Sequence, residues 1–308
     1  MYGIAAPFIG VLITMMNGVN SRLSSVVGAL TAALTIHVTG IVIIHGVLAA
    51  RTVYGRAAGK PLGKASRLPW YLYLGGVVGV GTVFSCNYAY TVLDASLAVA
   101  LGLIGQTVFS IIADATGFLG RERRPVSARR LPGMALAVIG AVVIARNWRS
   151  DGAAMLIALG SGLCTGLNAL LNAEHGRRNG TLRSARWNYI SGLSVTLVIV
   201  AATRPDWRSA AASVADAGPF LAAGGATLGV MIVMSMNLVF ARLPAFRATL
   251  LLFSGQALSG VVMDAAVSGA FDPRKLVGTV VVVAGLALDS AIGTAKDAGK
   301  AVTAPAKP

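Results

Sequence analysis

Residues 75–114 read GGVVGVGTVFSCNYAYTVLDASLAVALGLIGQTVFSIIAD, and residues 225–264 read GATLGVMIVMSMNLVFARLPAFRATLLLFSGQALSGVVMD. At a constant shift of 150 the two stretches agree at 13 of 40 positions. The agreement falls on glycines (Gly75, Gly79 and Gly105 with Gly225, Gly229 and Gly255) and on polar residues (Ser85, Asn87, Gln106 and Asp114 with Ser235, Asn237, Gln256 and Asp264). Upstream the shift becomes 152, where Gly10, Asn20, Gly28 and Gly40 match Gly162, Asn172, Gly180 and Gly192. A period this long marks an internal duplication. Each copy consists of aliphatic runs of the length, about 20 residues, that crosses a bilayer.

Composition agrees. The chain has 308 residues, of which 56% are hydrophobic and only 12% charged. Soluble domains carry about 25% charged residues, so a two-domain soluble enzyme has too little polar surface here. The pattern predicts an all-α integral membrane protein with ten spans, near 3–22, 29–50, 69–91, 95–118, 131–145, 152–173, 187–203, 219–241, 245–268 and 276–293. The expected units are a first five-helix repeat over 1–147, a second over 148–293, and a disordered tail over 294–308. Five is odd, so the second repeat enters the membrane inverted. Inverted repeats with a site at their interface are a transporter architecture.

Of 26 Lys and Arg residues, 19 fall in loops on one side of this arrangement and 7 on the other. Basic loops face the cytoplasm, which places both termini there. The net charge of +15 is thereby explained without nucleic acid, for which no basic, aromatic-interleaved domain exists outside the apolar runs. Cys86 and Cys164 fall inside spans and read as small buried residues.

A polar side chain in hydrocarbon needs a partner or a wet cavity, and an ionisable one is a candidate functional residue. Asp114 and Asp264 each follow a Gln by eight residues, about 12 Å along a helix. Both can face one cavity, with Asp114 toward the cytoplasm and Asp264 toward the outside, as proton-coupling residues; helix-to-helix hydrogen bonding and a carboxylate at a span end reaching the headgroups are the alternatives. The candidate substrate-binding residues are carboxamides, which both donate and accept: Asn17 and Asn20 on the first span, Asn87 on the third, Gln106 on the fourth, Asn168 and Asn172 on the sixth, Asn237 on the eighth and Gln256 on the ninth. The same side chains can instead glue helices together. His37 reads as a packing residue, since its repeat equivalent is Tyr189. Arg22 and Glu174 are repeat equivalents of opposite charge; at equivalent span ends they can form a salt bridge between the repeats, and the alternative is that each sits at the surface. Gly75-x3-Gly79 and Gly225-x3-Gly229 predict close helix approach. No His, Cys and carboxylate cluster has metal-ligand spacing, and no Walker A, Gly-x-Ser-x-Gly or His-Glu-x-x-His motif occurs. No cofactor, metal or enzymatic activity is therefore expected.

Asn20-Ser21-Arg22-Leu23, the stretch from Leu72 through Gly75-Gly76 and Gly79, and Gly105-Gln106 through Asp114 and Gly117 to Arg123-Arg124-Pro125 resemble the YdcZ-like branch of the drug/metabolite transporter superfamily. The resemblance is close over 4–145 and looser over 155–290. Its members are often single five-span units that must dimerise; this chain looks like two units fused, so further oligomerisation is allowed but not required. The family often has Gln four residues before the Asn, where this chain has Met16 and Asn168, and Glu174 stands where the Arg would be. The resemblance implies a bacterial inner-membrane transporter, commonly an exporter, and names no substrate. The reading is a secondary active transporter of a small metabolite or drug-like molecule, working by alternating access in the lipid bilayer and open to proton coupling. A passive facilitator or channel and a non-transporting partner subunit are the alternatives.

Overall fold

The computed structural model describes residues 2–57, 59, 63, 65–123, 131–144, 151–243, 245–285 and 287–288. Among the described residues all regular structure is helical: α1 (Tyr2–Val27), α2 (Ala29–Ala57), α3 (Gly75–Val92), α4 (Ala95–Thr116), α5 (Leu131–Ile144), α6 (Gly152–Asn179), α7 (Thr181–Thr203), α8 (Trp207–Arg242) and α9 (Ala245–Ser268), then helical residues 273–285. A one-turn 3₁₀ helix, Trp70–Tyr73, leads into α3. The tail expected at 294–308 lies outside the described residues.

Ten spans were expected, and among the described residues seven helices are long and apolar enough to cross a membrane. These are α2, α3 with its 3₁₀ turn, α4, α6, α7, α8 and α9 from Arg247. α1, α5 and residues 273–285 fall where the other three were expected without meeting that standard. The described stretch of α5 has 14 residues, a rise of about 21 Å against a hydrocarbon core of about 30 Å.

The basic loop expected at 174–186 is instead helical. α6 continues to Asn179 and α7 begins at Thr181. Charge does not break this helix because Glu174 pairs along it with Arg177 and Arg178, three and four residues on. The break is one residue, Gly180, at φ 86° and ψ 147°, a region that only glycine enters freely. Its repeat equivalent Gly28, at φ 82°, makes the same one-residue joint between α1 and α2. The loop expected at 204–218 is also mostly helical. Asp206 caps it by accepting from the Arg208 N–H, and the helix bends at Gly218-Pro219 before the membrane stretch of α8 begins.

Equivalent helices pack in equivalent ways. α1 lies against α8 and α9; α6 lies against α3 and α4. α2 crosses α7, and α4 crosses α9. Glycines set the closeness. A side chain at Gly105 would strike the Leu159 carbonyl of α6, and one at Gly255 the Pro7 carbonyl of α1. Large apolar side chains point outward all around, among them Phe8, Val42, Val53, Leu156, Val198, Phe220 and Val262. That outer surface fits a hydrocarbon solvent and would be a liability in water.

Candidate functional site

The close helix contacts leave a cavity of about 170 Å³ bounded by α1, α2, α3 and α4 and by α6, α7, α8 and α9. Both halves of the chain therefore build it. Seven of the eight carboxamides singled out in the sequence line its wall: Asn17, Asn20, Gln106, Asn168, Asn172, Asn237 and Gln256. Asn87 is the exception, buried beside the cavity and outside its wall.

Small residues on the third helix of each unit admit the Asn residues. Gly75 and Gly79 leave room for Asn172 and Asn168, as Gly225 and Gly229 leave room for Asn20 and Met16. On α6 the Asn172 side-chain N–H donates to Asn168 Oδ1 and to Asn188 Oδ1, the latter at 2.8 Å, while Ser184 Oγ donates to the Asn172 carbonyl. Opposite them Asn17 Nδ2 lies 3.5 Å from the Tyr90 hydroxyl. Gln106 is 3% exposed and Asn237 1%. Gln106 Nε2, Asn237 Nδ2 and Asn20 Oδ1 are buried without a protein partner. An unmade hydrogen bond at a buried amide costs about 1–3 kcal/mol, so these three atoms hold hydrogen-bonding capacity that packing alone does not use.

The backbones of the two Gln residues are held by hydroxyls. Thr14 Oγ1 donates to the Gln256 carbonyl, and Ser110 Oγ donates to the Gln106 carbonyl while pairing with Thr249 where α4 crosses α9. His37 packs against its neighbours and also lines the cavity. Its Nδ1 lies 2.7 Å from the Ala33 carbonyl and its ring meets Tyr189 edge to face. The two rings trade glycines, Gly192 facing His37 and Gly40 facing Tyr189.

Asp114 and Asp264 are not in this cavity. Asp264 Oδ1 accepts from the Ala95 N–H at 2.8 Å and Oδ2 from the Ser96 N–H at 3.1 Å, so a carboxylate on α9 caps the start of α4. Lys275 Nζ sits 2.9 Å from Asp264 and 3.0 Å from Asp94. The opposing charge at a helix N-terminus, where backbone N–H groups point outward, is favourable in itself. Asp114 lies at the far end of α4, about 30 Å away along the helix axis, in a second cluster with Arg121, Glu122, Glu174, Arg177 and Arg242. There the Arg121 guanidinium donates to the Phe240 and Leu243 carbonyls that end α8. The salt bridge expected between Arg22 and Glu174 is not formed: Arg22 is exposed, and Glu174 is held by Arg177 and Arg178 of its own helix.

The sequence reading missed Asn188. A seventh span that starts at 187, beyond Arg183 and Arg186, puts Asn188 at the membrane edge. The helix begins at Thr181, and Asn188 stands two turns inside it. The four-residue spacing of Asn168 and Asn172 was a usable signal, since an unsatisfied pair of amides on one face calls for a third partner.

The arrangement has the chemistry of a binding cavity, with no group placed for bond making or breaking among its described lining residues. It holds amides, hydroxyls and apolar surface, and it is flanked at opposite ends by separate charged clusters. The family model described as "Putative inner membrane exporter, YdcZ" matches the chain twice, over residues 1–143 and 153–288. No curated protein matches it. Among solved structures, one titled "Crystal structure of protein" superposes with a TM-score of 0.57 over 94% of this chain and 98% of its own, at 15% identity. That likeness concerns the fold alone.

Proposed function

The chain belongs to the YdcZ family of the drug/metabolite transporter superfamily, as two units fused in one membrane protein, and from that premise we propose that it is a secondary active transporter working by alternating access. The two units are five-span repeats, 1–147 and 148–293, inserted with opposite orientation, with both termini in the bacterial cytoplasm and small-molecule export as the direction of use. The substrate sits among Asn17, Asn20, Gln106, Asn168, Asn172, Asn237 and Gln256.

One observation carries this reading. Carboxamides from both halves meet in one cavity, while the charged residues collect in two clusters at opposite ends of α4. Such a layout separates binding from gating. The Asp264 cluster closes the outer end by tying α9 to the start of α4. The Asp114 cluster closes the cytoplasmic end, where Arg121 ties the α4 terminus to α8. Protonation of Asp264 removes its charge from Lys275 and weakens its hold on the Ala95 and Ser96 N–H groups. This is how protons would drive opening, and Asp114 plays the same part inside.

Cys86 in the cavity wall reports on the cycle, in protein whose Cys164 is replaced by Ala. A membrane-impermeant thiol reagent is applied from either side of oriented vesicles. In alternating access Asp264→Ala speeds labelling of Cys86 from outside and slows it from the cytoplasm, and Asp114→Ala does the reverse. A channel predicts faster labelling from the loosened side with the other side unchanged. A protein unreactive from both sides in all three forms would be a non-transporting subunit.

A further inference from the structure

The duplication allows a comparison inside the cavity wall. Eleven repeat-equivalent pairs have both members in that wall, and six of them set an apolar residue against one that can form hydrogen bonds: Ile13 with Thr165, Met16 with Asn168, Ala169 with Asn17, Ile36 with Asn188, Ile232 with Thr82, and Met236 with Cys86. The other five pairs are alike in kind: Asn20 with Asn172, His37 with Tyr189, Gly79 with Gly229, Val83 with Val233, and Gln106 with Gln256. In five of the six contrasting pairs the hydrogen-bonding member lies on the same side of the cavity, and Asn17 of α1 opposite Ala169 of α6 is the exception. Thr82, Cys86, Thr165, Asn168 and Asn188 come from α3, α6 and α7, which pack on one another. Their five counterparts come from α1, α2 and α8, which also pack on one another. A near-symmetric frame thus carries one wall richer in hydrogen-bonding groups and one richer in apolar side chains, the second still holding Asn17, Asn20, His37 and Asn237. Among the described residues lining the cavity there is no Asp, Glu, Lys or Arg.

We propose that the site takes an uncharged molecule with a hydrogen-bonding group at one end and an apolar body at the other, held in one orientation with its polar end on the α3, α6 and α7 wall. This rests on the transporter reading for the existence of a substrate, and extends it to substrate class and pose. A charged group brought here leaves water without meeting an opposite charge, which is far costlier than burying a neutral polar group that finds partners. A neutral group does find them. Gln106 Nε2 is buried in the wall with no protein partner, and the Asn168, Asn172 and Asn188 amides stand together across it. An apolar body gains by covering Ile13, Met16, Ile232 and Met236, and a uniformly polar solute gains nothing there.

Three planar probes of nearly equal shape separate the possibilities: neutral benzamide, cationic benzamidine and anionic benzoate. Calorimetric titration of the purified full chain is expected to find benzamide bound and each charged probe at least about tenfold weaker, roughly the loss from one poorly made buried polar interaction. Asn188→Ile, which installs the residue of the apolar wall, is expected to weaken benzamide by a similar factor. Should that variant fail to fold, Asn188→Asp keeps the acceptor for Asn172 and is expected to shift preference toward benzamidine. Tighter binding of benzoate or benzamidine by the unmodified protein overturns the proposal, as does binding of none of the three, or an Asn188→Asp variant with unchanged preference. Counterflow of labelled benzamide in proteoliposomes separates the two readings. Selective binding without counterflow removes the transporter and leaves the site's chemistry standing. Counterflow of a charged probe instead does the opposite.

Discussion

α1 and α6 are the same helix twice, and they have kept and changed different things. Both keep the glycine that admits the partner helix backbone, Gly10 against Leu252 and Gly162 against Gly102. Both keep the buried Asn, and both end at a glycine joint. What differs is the face between: Ile13, Met16 and Asn17 on α1, Thr165, Asn168 and Ala169 on α6, all in the cavity wall. Positions where backbones touch tolerate no change in either copy, because the constraint is steric and each copy meets it. Positions facing the cavity meet only what occupies it, and two copies can therefore divide that work. The retained glycines belong to the scaffold, the retained Asn20, Asn172, Gln106 and Gln256 give both halves a common share of the cavity wall, and the divergent positions make that wall unlike on its two sides.

The largest expected effect tests the retained half of that contrast. Gly105→Val and Gly255→Val each force a branched side chain into a backbone carbonyl of the neighbouring helix, which cannot rotate aside. Both should exceed the about 1–3 kcal/mol of ordinary overpacking and show as loss of monodisperse folded protein in detergent. A folded, active variant at one site only would mean that the two interfaces are not equivalent.

Next is Asp264→Ala. It strips the cap from two N–H groups of α4 and leaves Lys275 with Asp94 alone. With Asp264 10% and Lys275 14% exposed, the expected loss is about 2–3 kcal/mol, read as a lower thermal midpoint. Asp114→Ala should lose a comparable amount if the two ends serve as matched closures. A stability-neutral Asp114→Ala would make the ends unlike and confine closure by a carboxylate to one of them.

Much of this was legible in the sequence because duplication writes its constraints twice. Gln106 and Gln256, or Asn20 and Asn172, stand out only when the halves are laid together, and all four reach the cavity. What was not legible concerns neighbours. The Gln-to-Asp spacing gives a distance along α4 or α9, and it is silent on which backbone arrives beside the carboxylate; for Asp264 that is the start of α4, far in sequence. The helix ends were misjudged for a local reason. Arg177, Arg178, Arg183 and Arg186 looked like loop, whereas the first two are satisfied by Glu174 within the helix. The polar and apolar walls needed the packing of α3 on α6 and of α1 on α8, because no sequence pattern states which faces meet.

The smallest effect isolates a term that contacts cannot mask. At both Gly28 and Gly180 an added Cβ would meet no atom within 4 Å, so an alanine there is penalised by backbone conformation alone. Gly180, at φ 86° and ψ 147°, lies where residues other than glycine pay about 1–3 kcal/mol. Gly180→Ala should lower the thermal midpoint accordingly without altering benzamide affinity. Asn tolerates the compact left-handed region and not this extended one, so Gly180→Asn should fare no better than Ala. At Gly28 the same pair of substitutions measures whether the first unit makes its joint the same way. Equal losses would extend the retained scaffold to its hinges. If Asn rescues Gly28 and not Gly180, the two joints differ in geometry, and the division between the copies reaches the backbone as well as the cavity wall.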